Sequence, residues 1–222
     1  MTDKAPSNTA RAIARLRELI FAGELAAGTD HLESELADLL EMSRTPVREA
    51  VLTLEAQGLL TMRPRKGVRI LPLSPEDMAE IYDVLTELES HAAERAARAR
   101  HNSRDLATLT RAVDDMEAAI RGNDLEGWAR ADETFHDELV RLGGNSRIVA
   151  ITQMMADQVR RARATTLHLR PLPSKSTEDH RTVLDAIRDG RGGAARDAHR
   201  QHRQRSKAIL VALLHDHRLR YL

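Results

Sequence analysis

The sequence predicts a mainly α chain: an N-terminal winged helix-turn-helix followed by a C-terminal antiparallel all-α helical bundle. Three observations carry that expectation. Between Leu32 and Ile70 come an amphipathic helix, a turn at Glu41-Met42-Ser43, a second helix entered through Ser43-Arg44-Thr45-Pro46, and a basic hairpin with a glycine. That order of parts is what places one helix in a DNA major groove with a loop beside it. From Pro75 onward, apolar residues recur at helical spacing, with no alternating strand pattern and no internal repeat. Aromatic residues make up only 2% of the chain, which argues against base-stacking surfaces for single strands.

Each element can be justified in turn. A first helix is expected over 9–21, with Ile13, Leu16, Leu19 and Ile20 on one face, broken by Gly23 and Gly28. Leu32, Leu36, Leu39 and Leu40 should continue its core. In the second helix of the motif, Val47, Ala50, Val51 and Leu54 must face inward, which leaves Arg44, Thr45 and Arg48 outside near the N-terminus. Ser43 is the expected N-cap, and the backbone N–H groups behind it favour phosphate. Arg44 and Arg48 are four apart, so both forks can enter one groove, where arginine pairs bidentately with guanine. The hairpin Arg63-Pro64-Arg65-Lys66-Gly67 brings its tip, Lys66 and Gly67, to phosphates or the adjacent minor groove.

Composition sets the limits. A chain of 222 residues holds one large or two small domains. Lys and Arg (34) balance Asp and Glu (34), for a net charge of zero, but phosphate contact needs a basic face, not a basic protein. Ser43 to Pro72 supplies one: Arg44, Arg48, Arg63, Arg65, Lys66 and Arg69 against Glu49 and Glu55. No run approaches the ~20 apolar residues of a membrane span, and the N-terminus lacks a signal-peptide core, so a cytoplasmic protein with no membrane partner is expected. The absence of cysteine excludes disulfides and thiolate sites, leaving His and carboxylate as metal ligands.

Leu71-Pro72-Leu73-Ser74-Pro75 marks the boundary between domains 1–73 and 74–222. Ser74-Pro75-Glu76-Asp77 then opens a helix with an N-cap, proline at the first position and acidic first-turn residues. Six helices are expected beyond it, over 75–100, 104–121, 125–142, 146–169, 176–189 and 193–217. On the third, Asp132 and His136 are four apart and share a face with Trp128, Phe135, Leu139 and Leu142. His180 shares a stripe with Val183, Leu184 and Ile187, and His202 one with Ala195, Ala198, Ile209 and Leu213. Four ligand-capable side chains on three helices therefore aim inward, as bundle metal sites are built. A His₃Asp set suits a divalent metal ion: Zn, Ni, Mn or Fe. The alternative for each histidine is a hydrogen-bonded core residue. His199 shares a stripe with Arg196, Arg203 and Ser206 and is expected to face solvent. His31, His91, His101, His168, His215 and His217 show no ligand spacing.

These runs carry a resemblance. Ala27-Gly28-Thr29, Leu32-Glu33-Ser34-Glu35-Leu36-Ala37, Ser43-Arg44-Thr45-Pro46-Val47-Arg48-Glu49-Ala50 and Leu54-Glu55-Ala56-Gln57-Gly58-Leu59 resemble the GntR family of bacterial transcription regulators. The resemblance implies DNA contacts at Ser34, Ser43, Arg44, Thr45, Arg48, Lys66 and Gly67, and a homodimer on a near-palindromic double-stranded operator. From Ser74 onward the chain resembles the FCD effector domain of the FadR subfamily. That domain's Asp-x₃-His, Glu-x-His and Ala-x₆-His elements match Asp132/His136, Glu178/His180 and Ala195/His202.

One position departs from the pattern. Many members carry an effector-clamping arginine three residues before a Leu-Glu pair, and here Leu85 stands before Leu88-Glu89. Arg160, Arg163 and Glu89 are then the candidate effector contacts. The expectation is ligand-controlled repression by a small molecule such as an organic acid, sugar acid or amino acid. The rival readings are a metallohydrolase-like enzyme, with only Glu133 and Glu178 near enough as general bases, and an effector-independent DNA-binding dimer.

Overall fold

The Ser7 hydroxyl accepts the Ala10 N–H at 3.1 Å and opens α1 (Asn8–Phe21), whose inner face is Ala12, Leu16, Leu19 and Ile20. In this computed structural model, which describes residues 6–216, the N-terminal core forms where that face meets α2 (Glu33–Leu39) and α3 (Arg44–Ala56). Val47, Ala50, Val51 and Leu54 of α3 are fully buried there. The wing is β2 (Leu60–Arg63) and β3 (Gly67–Ile70), joined by β1 (Asp30–His31) in an antiparallel sheet of order β1-β3-β2. Leu60 pairs with Ile70, Arg63 with Gly67, and Asp30 with Arg69. The Glu55 carboxylate accepts the Met62 N–H at 2.7 Å and the Thr61 hydroxyl at 3.1 Å, which ties the wing to α3.

Gly67 has a backbone reason to be glycine. Its φ is +82°, and a Cβ there would lie 2.2 Å from the His31 carbonyl oxygen of β1. Two leucines of the expected core stand outside it: Leu32 is 47% exposed and Leu39 54%. At about 100° per residue, the buried arc of α2 centres between Leu36 and Ala37, and Leu40 falls on it while Leu39 lies roughly 110° away. Leu32 precedes the helix, where its N–H donates to Glu35 at 2.8 Å.

Beyond residues 71–74 the chain is helical: α4 (Pro75–Arg98), α5 (Ala107–Gly122), α6 (Leu125–Leu142), α7 (Ser146–Thr166), a short 3₁₀ turn (Leu167–Leu169), α8 (Ser174–Arg188) and α9 (Gly192–Asp216). The apolar faces of α4, α5, α6, α8 and α9 share a core that includes Ala93, Leu109, Met116, Trp128, Phe135, Leu139, Leu184 and Ala195. The α5–α6 turn uses Asn123 at φ +54° and then Asp124, which caps α6 by accepting the Gly127 N–H at 2.8 Å. Gly143, after α6, lets that end close on α4: a Cβ would sit 2.9 Å from the Ala92 Cα.

Several bounds differ from the sequence reading. The helix expected at 104 begins at Ala107, because the Asn102 side chain accepts the Arg104 and Asp105 N–H groups and holds a turn there. The helix expected to reach Leu169 ends at Thr166 and tightens into the 3₁₀ turn. His217, the expected end of the last helix, lies outside the described residues.

The described chain divides into two units, one of residues 6–74 with 154–165 and 215–216, the other of 75–153 with 166–214. α7 is therefore shared, its second half belonging with the N-terminal unit. In that unit the Arg17 guanidinium meets Asp157 at 2.7 Å, and Arg161 donates to the Leu71 carbonyl at 2.6 Å. Among the described residues, no helix is long and apolar enough to cross a membrane.

Candidate functional site

Two surfaces matter chemically, one in each unit. In the first, burial of the apolar stripe of α3 turns Arg44, Thr45 and Arg48 outward, and all three are exposed. Ser43 holds the N-cap position with extended backbone (φ −68°, ψ 158°), and its hydroxyl makes no capping bond to the helix. Ser34 on α2 is half-buried, Lys66 at the wing tip is exposed, and Gly67 is half-buried at the start of β3. The basic face is smaller than the sequence count. Asp30, brought in by β1, lies 3.4 Å from Arg63 and 3.0 Å from Arg69, leaving Arg44, Arg48, Arg65 and Lys66 as the exposed cations.

In the helical unit, Asp132 and His136 of α6 meet His180 of α8 and His202 of α9, all buried. One ligand atom from each can be chosen so that all four lie within 4.8 Å of one another. His180 Nε2 is 3.4 Å from His136 Nε2 and 3.3 Å from Asp132 Oδ1, and His136 Nε2 is 3.7 Å from that same oxygen. The opposite nitrogen of His180 is 2.6 Å from the Ser176 carbonyl, which favours a proton on Nδ1 and a lone pair on Nε2. His202 Nε2 is buried without a hydrogen-bond partner, while its Nδ1 lies 3.8 Å from Asp179. A buried nitrogen left so costs about 1–3 kcal/mol, and a divalent ion is the partner this His₃Asp set fits. The four side chains singled out by spacing alone are the four brought together.

His199 corrects an expectation. It is fully buried, with Nε2 3.4 Å from His136 Nδ1 and 3.3 Å from Glu89 Oε2, and Nδ1 3.3 Å from the Ser90 hydroxyl. Arg203, assigned to the same solvent stripe, is buried and forms a two-pronged ion pair with Glu89. The stripe is divided: Arg196 reaches Glu94 at 3.1 Å nearer the surface, while His199 and Arg203 face the core. The missed signal was the i,i+3 spacing of His199 and His202, which makes them neighbours on one face. Glu89, His136 and His199 form a second group with metal-ligand spacing, overlapping the first at His136.

Of the other expected contacts, Glu89 thus adjoins the cluster. Arg160 lies 3.1 Å from Asp157, and both Arg160 and Arg163 sit on the part of α7 that belongs with the N-terminal unit. Glu178 is an exposed residue paired with Lys175 at 3.1 Å, whereas its neighbour Asp179 is the buried one. Leu85 is buried in α4.

The electrostatics suit a ligand set kept free of protons. Burial pushes His136 down to about 3, helped by the Arg203 guanidinium and opposed by Asp132 and Glu89. Desolvation also lowers His199, and it holds His202 well below the ordinary range, where the neighbouring rings add to the effect. Burial would raise the Glu89 carboxyl, but Arg203 and the His136 and His199 hydrogen bonds outweigh it and hold it well below its usual range.

A pH dependence follows. Unfolded histidines protonate near 6.5 and these three only at lower pH, so the unfolded chain binds more protons in between. Stability is complete above about 6.5 and falls as pH drops below it, by up to ~1.4 kcal/mol per unit for each such group. Calorimetry in chelator is expected to show melting temperature falling steadily from pH 7 to 5, and less steeply for His202→Leu. A flat profile would contradict the burial of neutral rings.

Two family profiles match this chain. Residues 8–70 match the profile described as "Bacterial regulatory proteins, gntR family", and residues 80–205 match the FCD domain. The chain is 31% identical over 171 residues to a probable D-xylose utilization operon transcriptional repressor of Paenarthrobacter nicotinovorans, covering 77% of this chain and 74% of that one. It is 32% identical over 146 residues to the gluconate operon transcriptional repressor of Bacillus licheniformis, covering 65% and 59%. Among solved structures, E. coli McbR/YncC superposes with a TM-score of 0.76 at 22% identity, covering 92% of this chain and 97% of that one, a likeness of fold.

Proposed function

Since this chain belongs to the gntR family of bacterial regulatory proteins and carries an FCD domain, we propose that it is an operon repressor whose grip on DNA is set by a small organic acid bound in the helical unit. That it is a transcriptional regulator and not an enzyme follows from the family. The effector, its site and the DNA contacts are the proposal.

Residues 1–73 form the DNA-binding domain and 74–222 the effector and dimerisation domain. A homodimer presents two α3 helices to a near-palindromic operator, in step with its own two-fold symmetry. Arg44 and Arg48 read guanine edges, Ser34, Ser43 and Thr45 hold phosphates around the N-terminus of α3, and Lys66 and Gly67 of the wing lie along the backbone beyond.

The observation that carries the effector reading is the convergence of Asp132 with His136, His180 and the partnerless Nε2 of His202 in a buried cluster. A divalent ion held there would supply a Lewis-acidic anchor for the carboxylate or hydroxyl oxygen of an acid. The chain itself buries these groups and keeps the His136 and His202 rings neutral. With Leu85 where many members have a clamping arginine, anchorage rests on this cluster. The gluconate operon repressor among the relatives favours sugar acids within the class. A tenfold change in operator affinity needs only ~1.4 kcal/mol of differential binding.

The test is a thermal-shift screen of organic acids, sugar acids and amino acids, with and without chelator, followed by operator titration with the hits. An acid that raises the melting temperature only without chelator, and weakens operator binding at least tenfold, is expected. Acids that bind equally in chelator would remove the ion from the reading, and operator binding indifferent to every hit would leave an effector-independent dimer.

A further inference from the structure

The metal-facing cluster has an outer layer that its own ligands do not explain. Glu89 of α4 is buried, yet it coordinates four nitrogen groups: His136 Nδ1 at 3.1 Å, His199 Nε2 at 3.3 Å, Arg203 Nε at 2.7 Å, and Arg203 Nη2. Three of these contacts fall on Oε2 and one on Oε1, so nearly all of the carboxylate's accepting capacity is used within the chain. His199 is held from its other side by the Ser90 hydroxyl, 3.3 Å from Nδ1. Arg203 lies over the Tyr82 ring, 5.5 Å from its centroid. These side chains come from α4 and α9 and converge on one nitrogen, the Nδ1 of His136, while Nε2 of the same ring faces Asp132 and His180.

We propose that Glu89, clamped by Arg203 and His199, is the positioning residue of the metal site: it accepts the Nδ1–H of His136 and so fixes the tautomer whose Nε2 lone pair faces the cluster. The inference rests on reading Asp132, His136, His180 and His202 as metal ligands, and it assigns Glu89 a role through His136 instead of a contact with the effector. A ring that is free to choose its tautomer places a proton on Nε2 part of the time, and that proton must leave before the nitrogen can bind a cation. A carboxylate at Nδ1 removes that choice, makes the imidazole a stronger donor and fixes the plane of the ring. His180 is served in the same way by the Ser176 carbonyl. Glu89, His136 and His199 also satisfy metal-ligand spacing, but a second cation there would have to displace the Arg203 guanidinium from the same carboxylate. Charge favours the orienting role.

The experiment has two readouts. Long-range ¹H–¹⁵N correlation on the metal-free wild type at neutral pH reports the His136 tautomer, and zinc titration against a competing chelator reports affinity. Glu89→Leu with Arg203→Leu removes both charges together, which avoids stranding one of them in the core, and circular dichroism checks the fold. His136 is expected as the Nδ1–H form in the wild type and as a mixture in the double variant, with zinc affinity lowered about 10–100-fold. Glu89→Asp should restore part of that affinity.

His136 protonated on Nε2 in the wild type overturns the proposal whether or not any variant folds. So does a folded double variant with unchanged zinc affinity, or two zinc ions per wild-type chain with the second lost in His199→Asn. A wild type that binds no zinc while keeping the Nδ1–H form would instead count against the metal reading itself.

Discussion

Arg48→Ala is expected to weaken specific operator binding by about 1–3 kcal/mol, roughly 5–150-fold, and adding Arg44→Ala should bring affinity down to that for unrelated DNA. Both side chains are exposed on the first two turns of α3, whose opposite face is locked into the core by Val47, Ala50, Val51 and Leu54. Their removal therefore costs contacts and not packing, and the melting temperature should stay within about a degree of the wild type. Lys66→Ala should behave differently, weakening binding to all sequences alike and reducing the salt slope by about one. Fluorescence anisotropy with operator and scrambled duplexes at two salt concentrations separates these outcomes. Undiminished discrimination by the double arginine variant would remove α3 as the reading helix.

His180→Ala with His202→Ala should have the opposite effect: bound metal and effector response lost, operator affinity in the absence of effector nearly unchanged. A saturating ion at 100–1,000 times its dissociation constant stabilises by about 3–4 kcal/mol. For a protein of this size that is roughly 6–16 °C of melting temperature. The wild type should lose that margin in chelator, while the double variant should show no difference between zinc and chelator. Metal content is read by elemental analysis on protein purified without added metal. Equal metal in the double variant would sink the ligand assignment.

Much of this was legible in the sequence because the signals are local. The 3.6-residue period of Val47, Ala50, Val51 and Leu54 decides which way Arg44, Thr45 and Arg48 point, and no distant residue needs to be known. Asp132 and His136 advertise themselves by being four apart on one helix, and His180 and His202 by sharing stripes with buried apolar residues. Proline and glycine mark the start of α4, the end of α6 and the wing.

What the sequence by itself determined was the order of helices, the winged motif, and the four inward-facing side chains Asp132, His136, His180 and His202 on α6, α8 and α9. Only the tertiary structure decided their surroundings. Glu89 and Arg203 are 114 positions apart, and nothing local says that they pair or that His199 joins them. Asp30 neutralises part of the wing because a two-residue strand pairs with β3, too short to leave a periodic signal. Burial is a property of how helices pack together, and a charged residue is read as solvated until its partner across the core is known. For that reason the four clustered side chains could be read along the chain, whereas the residues packed around them could be found only across it.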